Sequence, residues 1–494
     1  MPEPNKKKQE DCYFAGNDDN FSSSGSTVAG AVLNLTNSII GAGCMGYGGA
    51  FAESGGLASL ATIAIFALLT KQSFVMVIEL GLKLVQQEEE QRRLSGNLFH
   101  PPITAATSSF EAVGQAAYGN FGMISVVMSK CLFAFGCMVA YFVIIKDNSA
   151  LALQHLTGAS TSFWTDNIRL TIFLATVFIL PLCLQRDISA LENFSKIKIA
   201  AYGTIAAIVT ILCVAIHREQ QQDVNFIDHG NWVDHWLTVK PGLMANTGTF
   251  VFAFVSQHIV HLVFLSLRPT DRNLKSFSKV STLGILASAA IMLAVGVPAY
   301  MTFWDKSSTD LFLLYPASQA NMVNAARVLL SVGMVLTYPM PLFSLRDSLV
   351  QLLNGSSVQD EDEGLSENTS LLESGDGVHT SKSRIAAPWW YTKQINDPRA
   401  GCEQTQRSPE LIEPLHWLLT LALWASSLVL ALSVPSLGVV LNLVGCLSGA
   451  TMAFLLPGLF WAKLSGWTPL AVVLVAVGLL VACLGSYYTV VGTS

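Results

Sequence analysis

Charge is what this sequence has least of. Asp, Glu, Lys and Arg make up 13% of its 494 residues, about half the share of an ordinary soluble domain. A soluble chain of this length would split into several domains, each needing a charged surface, and the charge to cover such surfaces is missing. Basic residues are scarcer than acidic ones, 28 against 34, leaving a net charge of −6. That excludes the basic surface a nucleic-acid binder needs. No nucleophile elbow, phosphate loop or zincin motif occurs, so no enzyme signature is legible. Residues 1–24 are polar and lack the apolar core of a cleavable leader. The first apolar segment is therefore expected to be an uncleaved membrane helix.

What the chain does have is apolar length. Hydrophobic residues reach 51%, mean hydropathy is +0.48, and runs of about twenty residues recur, each able to cross ~30 Å of hydrocarbon at ~1.5 Å per residue. Stretches such as 168–184 and 467–484 are apolar on all sides, which excludes the alternation of a membrane β-barrel. Backbone groups in lipid must be satisfied internally, so these runs should be helices. Eleven spans are expected, at 26–53, 57–84, 122–146, 168–185, 197–217, 242–267, 279–303, 322–350, 414–434, 437–462 and 467–490, with long connections at 85–121 and 351–413. The organisation is thus a polar tail (1–25), eight spans (26–350), an acidic flexible loop (351–413) and three final spans (414–494).

Lys and Arg set the orientation. With the N-terminus cytoplasmic, about twenty bases fall inside, among them Lys196 and Lys198, and about six outside. The nine cysteines all fall in spans or inner segments, implying no outward disulfide. Four Asn-x-Ser/Thr matches (Asn20, Asn193, Asn354, Asn368) lie on the inner side and read as chance. In the acidic loop, Asp360 to Glu363 sit among Ser, Gly and Asn, a composition that does not fold alone. Glu367 to Leu372, ENTSLL, fits the acidic dileucine pattern read by vesicle-sorting adaptors.

Three segments carry chemistry. In NLTNSIIGAGCMGYGGAFAESGG (34–56), Gly41, Gly43 and Gly46 fall mid-span. Each weakens a helix by about 1 kcal/mol against Ala, and Asn34 and Asn37 add amides that need partners in an apolar zone. The cluster predicts a break. At membrane depth a break exposes N–H groups suited to a carboxylate and carbonyls suited to a cation; close helix packing is the other use of such glycines. In the sixth span, Ser256, Gln257 and His258 interrupt an apolar run. Interruptions in corresponding spans of two five-helix halves point to a transporter's substrate site. In the eighth, Thr337 precedes Tyr338, Pro339, Met340 and Pro341. Its hydroxyl oxygen suits a hard cation, or bonds back to its own helix.

On NLTNSIIGAG (34–43), FAFVSQH (252–258) and VLTYPMPLF (335–343), the chain resembles the amino acid/auxin permease family of the amino acid–polyamine–organocation superfamily, and within it the sodium-coupled neutral amino acid transporters. The resemblance implies a five-plus-five inverted repeat with helices 1 and 6 broken. It implies that the substrate binds at Gly41, Ala42, Gly43 and the stretch Phe254 to His258, including Ser256, and that sodium binds Asn37, the Ile40 carbonyl and Thr337. Ile259 departs from the acidic or amide residue many relatives carry there.

His258 and His261 share a helical face, but no cysteine or carboxylate cluster joins them to complete a metal site. A proton-sensing role for His258 suits imidazole better. Lys71 and Lys130 lie inside spans; a mid-membrane lysine costs about 2.5–3.5 kcal/mol on insertion scales. Lys71 is expected to pair with Glu79 or another acid, or an internal ammonium stands in for a bound cation. The chain reads as a secondary active transporter, with sodium or protons driving neutral amino acids and no other cofactor. The alternatives are a vacuolar or lysosomal exporter and a non-transporting amino acid sensor. Plasma and endolysosomal membranes are both compatible.

Overall fold

The computed structural model describes residues 25–95, 109–158, 166–185, 194–222, 232–307, 312, 314–315, 320–350, 352 and 413–492. The polar tail up to residue 24, the acidic loop between 353 and 412 with its dileucine-like hexapeptide, and all four Asn-x-Ser/Thr matches lie outside the described residues. Within them the chain is helical, and the one isolated bridge joins Ser26 to Leu267.

Helices α1 (Val28–Ile39) and α2 (Gly43–Ser54) are halves of a span bent by 60°. There follow α3 (Gly56–Ser95), α4 (Phe110–Thr157), α5 (Asn167–Leu184), α6 (Phe194–Gln222) and the short α7 (Trp232–Leu237). A second broken span is formed by α8 (Leu243–Phe254) and α9 (Gln257–Ser266). The rest are α10 (Leu274–Phe303), α11 (Ala320–Val350), α12 (Glu413–Ser433), α13 (Leu437–Ser465) and α14 (Pro469–Val491). Ten described spans, α8–α9 counted as one, are long and apolar enough to cross a bilayer, and the bent α1–α2 pair supplies the eleventh.

The stretch 85–121, expected as a connection, is largely helical where it is described, because α3 runs on to Ser95 and α4 begins at Phe110. QQEEEQRR is charged but consists of strong helix formers, so the helix outlasts the apolar zone. Helix α4 is itself folded back on its start. Tyr118 (φ −135°) and Gly119 (φ 60°, ψ −146°) leave helical geometry, and a Cβ on Gly122 would strike the Gly114 carbonyl oxygen. Glycine is needed at 119 because other residues pay steric strain at positive φ.

Burial sorts the spans into layers. The α8–α9 span is 78% buried within the protein, while α14 is 28% buried. The broken spans, α4 and α13 therefore form the interior. Helices α5, α12 and α14 turn apolar side chains such as Leu418 and Val429 outward, as lipid-facing helices do.

The broken spans are anchored at their far ends. On the face where α1 begins, Ser26 N–H donates to the Ser266 carbonyl (2.7 Å) and Arg268 N–H to the Ser26 carbonyl (3.2 Å), clasping α1 to the end of α9. On the opposite face the Lys240 amine donates to the Ala52 carbonyl (2.6 Å) and pairs with Asp305. Between these ends, Asn442 of α13 accepts from the Thr249 N–H (2.8 Å) and hydroxyl (2.7 Å) of α8. One turn on, the α8 and α13 backbones meet at Gly248 and Gly445, where no side chain fits. Gly445→Ala would drive its methyl into the Gly248 carbonyl oxygen. It is expected to cost about 1–3 kcal/mol, seen as a lower midpoint of thermal unfolding in detergent; an unchanged midpoint would contradict this contact.

Candidate functional site

The first break behaves as glycine-weakened helix should. α1 ends at Ile40 (φ −71°, ψ 119°), whose N–H still bonds the Thr36 carbonyl at 3.0 Å. α2 opens with the Cys44 and Met45 amides on the Gly41 and Ala42 carbonyls, both at 3.1 Å. The Gly41, Ala42 and Gly43 amides have no backbone acceptor among the described residues. They form the positive end of α2, while the last carbonyls of α1 form a negative end a few ångströms away.

The glycines divide the work between packing and opening. A Cβ on Gly43 would lie 2.8 Å from the Ala253 Cα, so here α2 lies directly against the backbone of α8. Gly46 is similarly filled, by Leu441 at 2.6 Å. Around Gly41 the nearest neighbour is the Tyr141 hydroxyl, at 3.5 Å. Gly41 therefore borders space and Gly43 sets the distance between the broken spans.

The second break meets the first through that contact. Val255 and Ser256 (φ −148°, ψ 13°) separate α8 from α9. The Ser256 N–H is taken by the Gln257 side-chain oxygen at 3.1 Å, and the Gln257 amide reaches toward the Ala453 carbonyl at 3.5 Å. The buried Ser256 hydroxyl has no partner. Phe254 is buried beside it. His258 points toward α4, its ring 5.8 Å from that of Phe133.

Around the expected cation residues the structure adds a side chain. Asn37 leaves its buried Oδ1 without a partner, while its backbone carbonyl accepts a 2.9 Å hydrogen bond from the Lys198 amine of α6. Thr337 donates its hydroxyl proton to the Gly333 carbonyl of its own helix (2.7 Å), which leaves the oxygen lone pairs free to accept. Helix α6 packs against both α1 and α11, so Lys198 lies on the element between Asn37 and Thr337. In the sequence Lys198 stands only as one of the inner-face bases. A signal was there: Tyr202, Ile205, Val209 and Leu212 are buried, and position 198 extends that stripe by one turn.

The other intramembrane lysines separate. Glu79 pairs with Lys83, one turn on, at 3.1 Å, not with Lys71, which stands about 12 Å away along the helix. Lys130 pairs with Glu111.

A family model described as transmembrane amino acid transporter protein matches residues 24–491. A rat protein named putative sodium-coupled neutral amino acid transporter 11 is 23% identical over 441 residues, 89% of this chain and 78% of that one. The Saccharomyces cerevisiae vacuolar amino acid transporter 5 is 24% identical, with 89% of each chain covered. Among solved structures, MhsT in complex with L-phenylalanine aligns at a TM-score of 0.49 and 12% identity, over 93% of this chain and 96% of that one.

The packing at the break distinguishes its glycines. Gly43→Ala must push α2 from α8 and is expected to cost about 1–3 kcal/mol. Gly41→Ala meets only ordinary contact and should stay within about 0.5 kcal/mol of the parent. Thermal unfolding of both in detergent checks this; equal losses would contradict the assignment.

Proposed function

We propose, for a chain that belongs to the transmembrane amino acid transporter protein family, that it moves neutral amino acids across its membrane by alternating access around the paired breaks. Membership makes it a multi-pass membrane transporter rather than an enzyme. The observation that carries the reading is the meeting of two mid-span breaks whose backbone groups have no helical partners. A zwitterion matches that polarity. Its carboxylate suits the Gly41–Gly43 amides at the positive end of α2, and its ammonium suits carbonyls at the ends of α1 and α8, near Ile40 and Phe254. The unpartnered Ser256 hydroxyl and His258 border the same stretch. The matching positions of the two breaks support a five-plus-five inverted repeat.

For the driving ion, geometry favours the proton. The Lys198 ammonium sits on the Asn37 carbonyl, where a cation was expected beside the Ile40 carbonyl and Thr337. Protonated, it ties α1 to α6. Neutral, it loses the charge that makes the bond strong, and α1 is freed to move. The second reading is sodium, favoured by the unpartnered Asn37 Oδ1 and the open lone pairs of Thr337, and by the name of the rat relative. An endolysosomal or vacuolar membrane, with the N-terminus cytoplasmic and a sorting adaptor reading Glu367 to Leu372, suits the proton reading; a plasma membrane suits the sodium one.

Reconstituted into liposomes, the full chain is expected to show counterflow of labelled neutral amino acids; none at all would leave a sensor. A pH gradient without sodium is expected to drive accumulation, and Lys198→Gln to abolish that drive. Accumulation that follows a sodium gradient, survives in Lys198→Gln and is lost in Asn37→Ala or Thr337→Ala would overturn proton coupling in favour of sodium.

A further inference from the structure

Glu111 and Lys130 are 19 residues apart in one helix, a separation of about 28 Å along a straight rod. They are ion-paired because α4 reverses at Tyr118 and Gly119 and lays its first arm along its second. The pair is sheltered, its side chains 14% and 18% exposed. The reversal thus places two opposite charges where the sequence spacing would keep them far apart.

α9 packs against α4, the His258 ring lying 5.8 Å from that of Phe133, and His261 follows one turn on along the same face of α9. Its side chain is buried, the residue being 6% exposed, and neither ring nitrogen has a hydrogen-bond partner. A buried imidazole with both nitrogens unmet gives up about 1–3 kcal/mol for each, so its place calls for a functional reason. Glu111 and Lys130 are the charged groups within Coulombic reach of it, and His258, one turn back on α9, feels the same two. The other elements against α9 are α1 and α3, α10 through Phe277 on Phe264, with Lys275 and Lys279 on either side of Phe277, and α13 through Ala453 on Gln257, with Cys446 and Lys463 on that helix. α1 carries no titratable side chain; on α3, Glu79 and Lys83 pair with each other, and Lys71 is the remaining charge within its apolar length. From α11, Asp347 faces Lys130 at the exposed end of the cluster.

We infer that His261 and Glu111 form a proton-binding site, separate from the substrate breaks, that fastens α9 to the folded-back arm of α4. The inference rests on the transport reading but not on which ion drives it. With His261 neutral, the Glu111 carboxylate belongs to Lys130. A proton taken up on one ring nitrogen makes His261 a second cation beside that carboxylate, able to donate a charge-assisted hydrogen bond to it. Glu111 then bridges α4 and α9. Because α9 is also clasped to the start of α1, the added bond holds one half of each broken span, α1 and α9, in place. Acidification should therefore slow exchange of substrate without altering the pocket itself.

The test is counterflow by the reconstituted full chain at equal pH on both sides, from about pH 8 down to about pH 3.5, low enough to protonate a buried imidazole. The parent is expected to slow several-fold over that range. His261→Gln, which keeps size and polarity but cannot be charged, should keep its rate at the alkaline end and lose the decline. Lys130→Gln should move the midpoint upward by about one unit or more, since a competing positive charge is gone. It also serves if the His261 variant fails to fold. A parent with no decline, a decline unchanged in His261→Gln, a uniform loss at every pH, or an unmoved midpoint in Lys130→Gln would each overturn the site. Histidine-labelled protein followed by NMR reads the titration without transport: a resonance missing in His261→Gln must titrate in the parent. Absence of counterflow with that titration intact would count against the transport reading and not against the site.

Discussion

A peptide group inside a bilayer has no water to bond, and leaving one unmet costs several kcal/mol. Most of this structure obeys that rule with continuous helices. The two interruptions, at 40–42 and 255–256, gather the exceptions into one place. They are tolerated because they face each other inside the protein, with Gly43 against Ala253 closing the gap between them. The layered arrangement follows, since the most buried spans surround the breaks and the least buried face lipid. The anchoring at the far ends, Ser26 to Ser266 and Lys240 to Ala52, keeps each half-helix aimed at the other.

Scarce charge makes each internal charge informative. An unpaired lysine at mid-membrane would weaken insertion by about 2.5–3.5 kcal/mol, so its partner indicates its role. Lys198 uses the open end of α1 as its acceptor and so ties that end to α6. Lys130 is held by a carboxylate that reaches it through a glycine-dependent reversal. The two arrangements sit on different helices, α6 and α4.

Much of the fold was legible in the sequence because lipid imposes length and apolarity on every span. The eleven spans and both interruptions could be located from apolar runs, clustered glycines and a polar triplet. What stayed hidden depends on contacts between distant segments. Nothing local distinguishes Gly41, which borders open space, from Gly43, which fills a contact with α8. Glu111 looked like a loop residue because the return of α4 on itself depends on one left-handed glycine. Lys198 was the exception, a miss that helical periodicity could have prevented. Thr337 shows the opposite limit: both of its expected uses depend on one oxygen, whose proton bonds Gly333 and whose lone pairs remain available.

Amide hydrogen exchange at the first break tests the account most directly. In the substrate-free protein in detergent or nanodiscs, the Gly41, Ala42 and Gly43 amides should exchange far faster than their neighbours in α1 and α2, and a saturating neutral amino acid should slow them selectively. Amides protected from the outset as in an unbroken helix, or fast and indifferent to every amino acid offered, would contradict it.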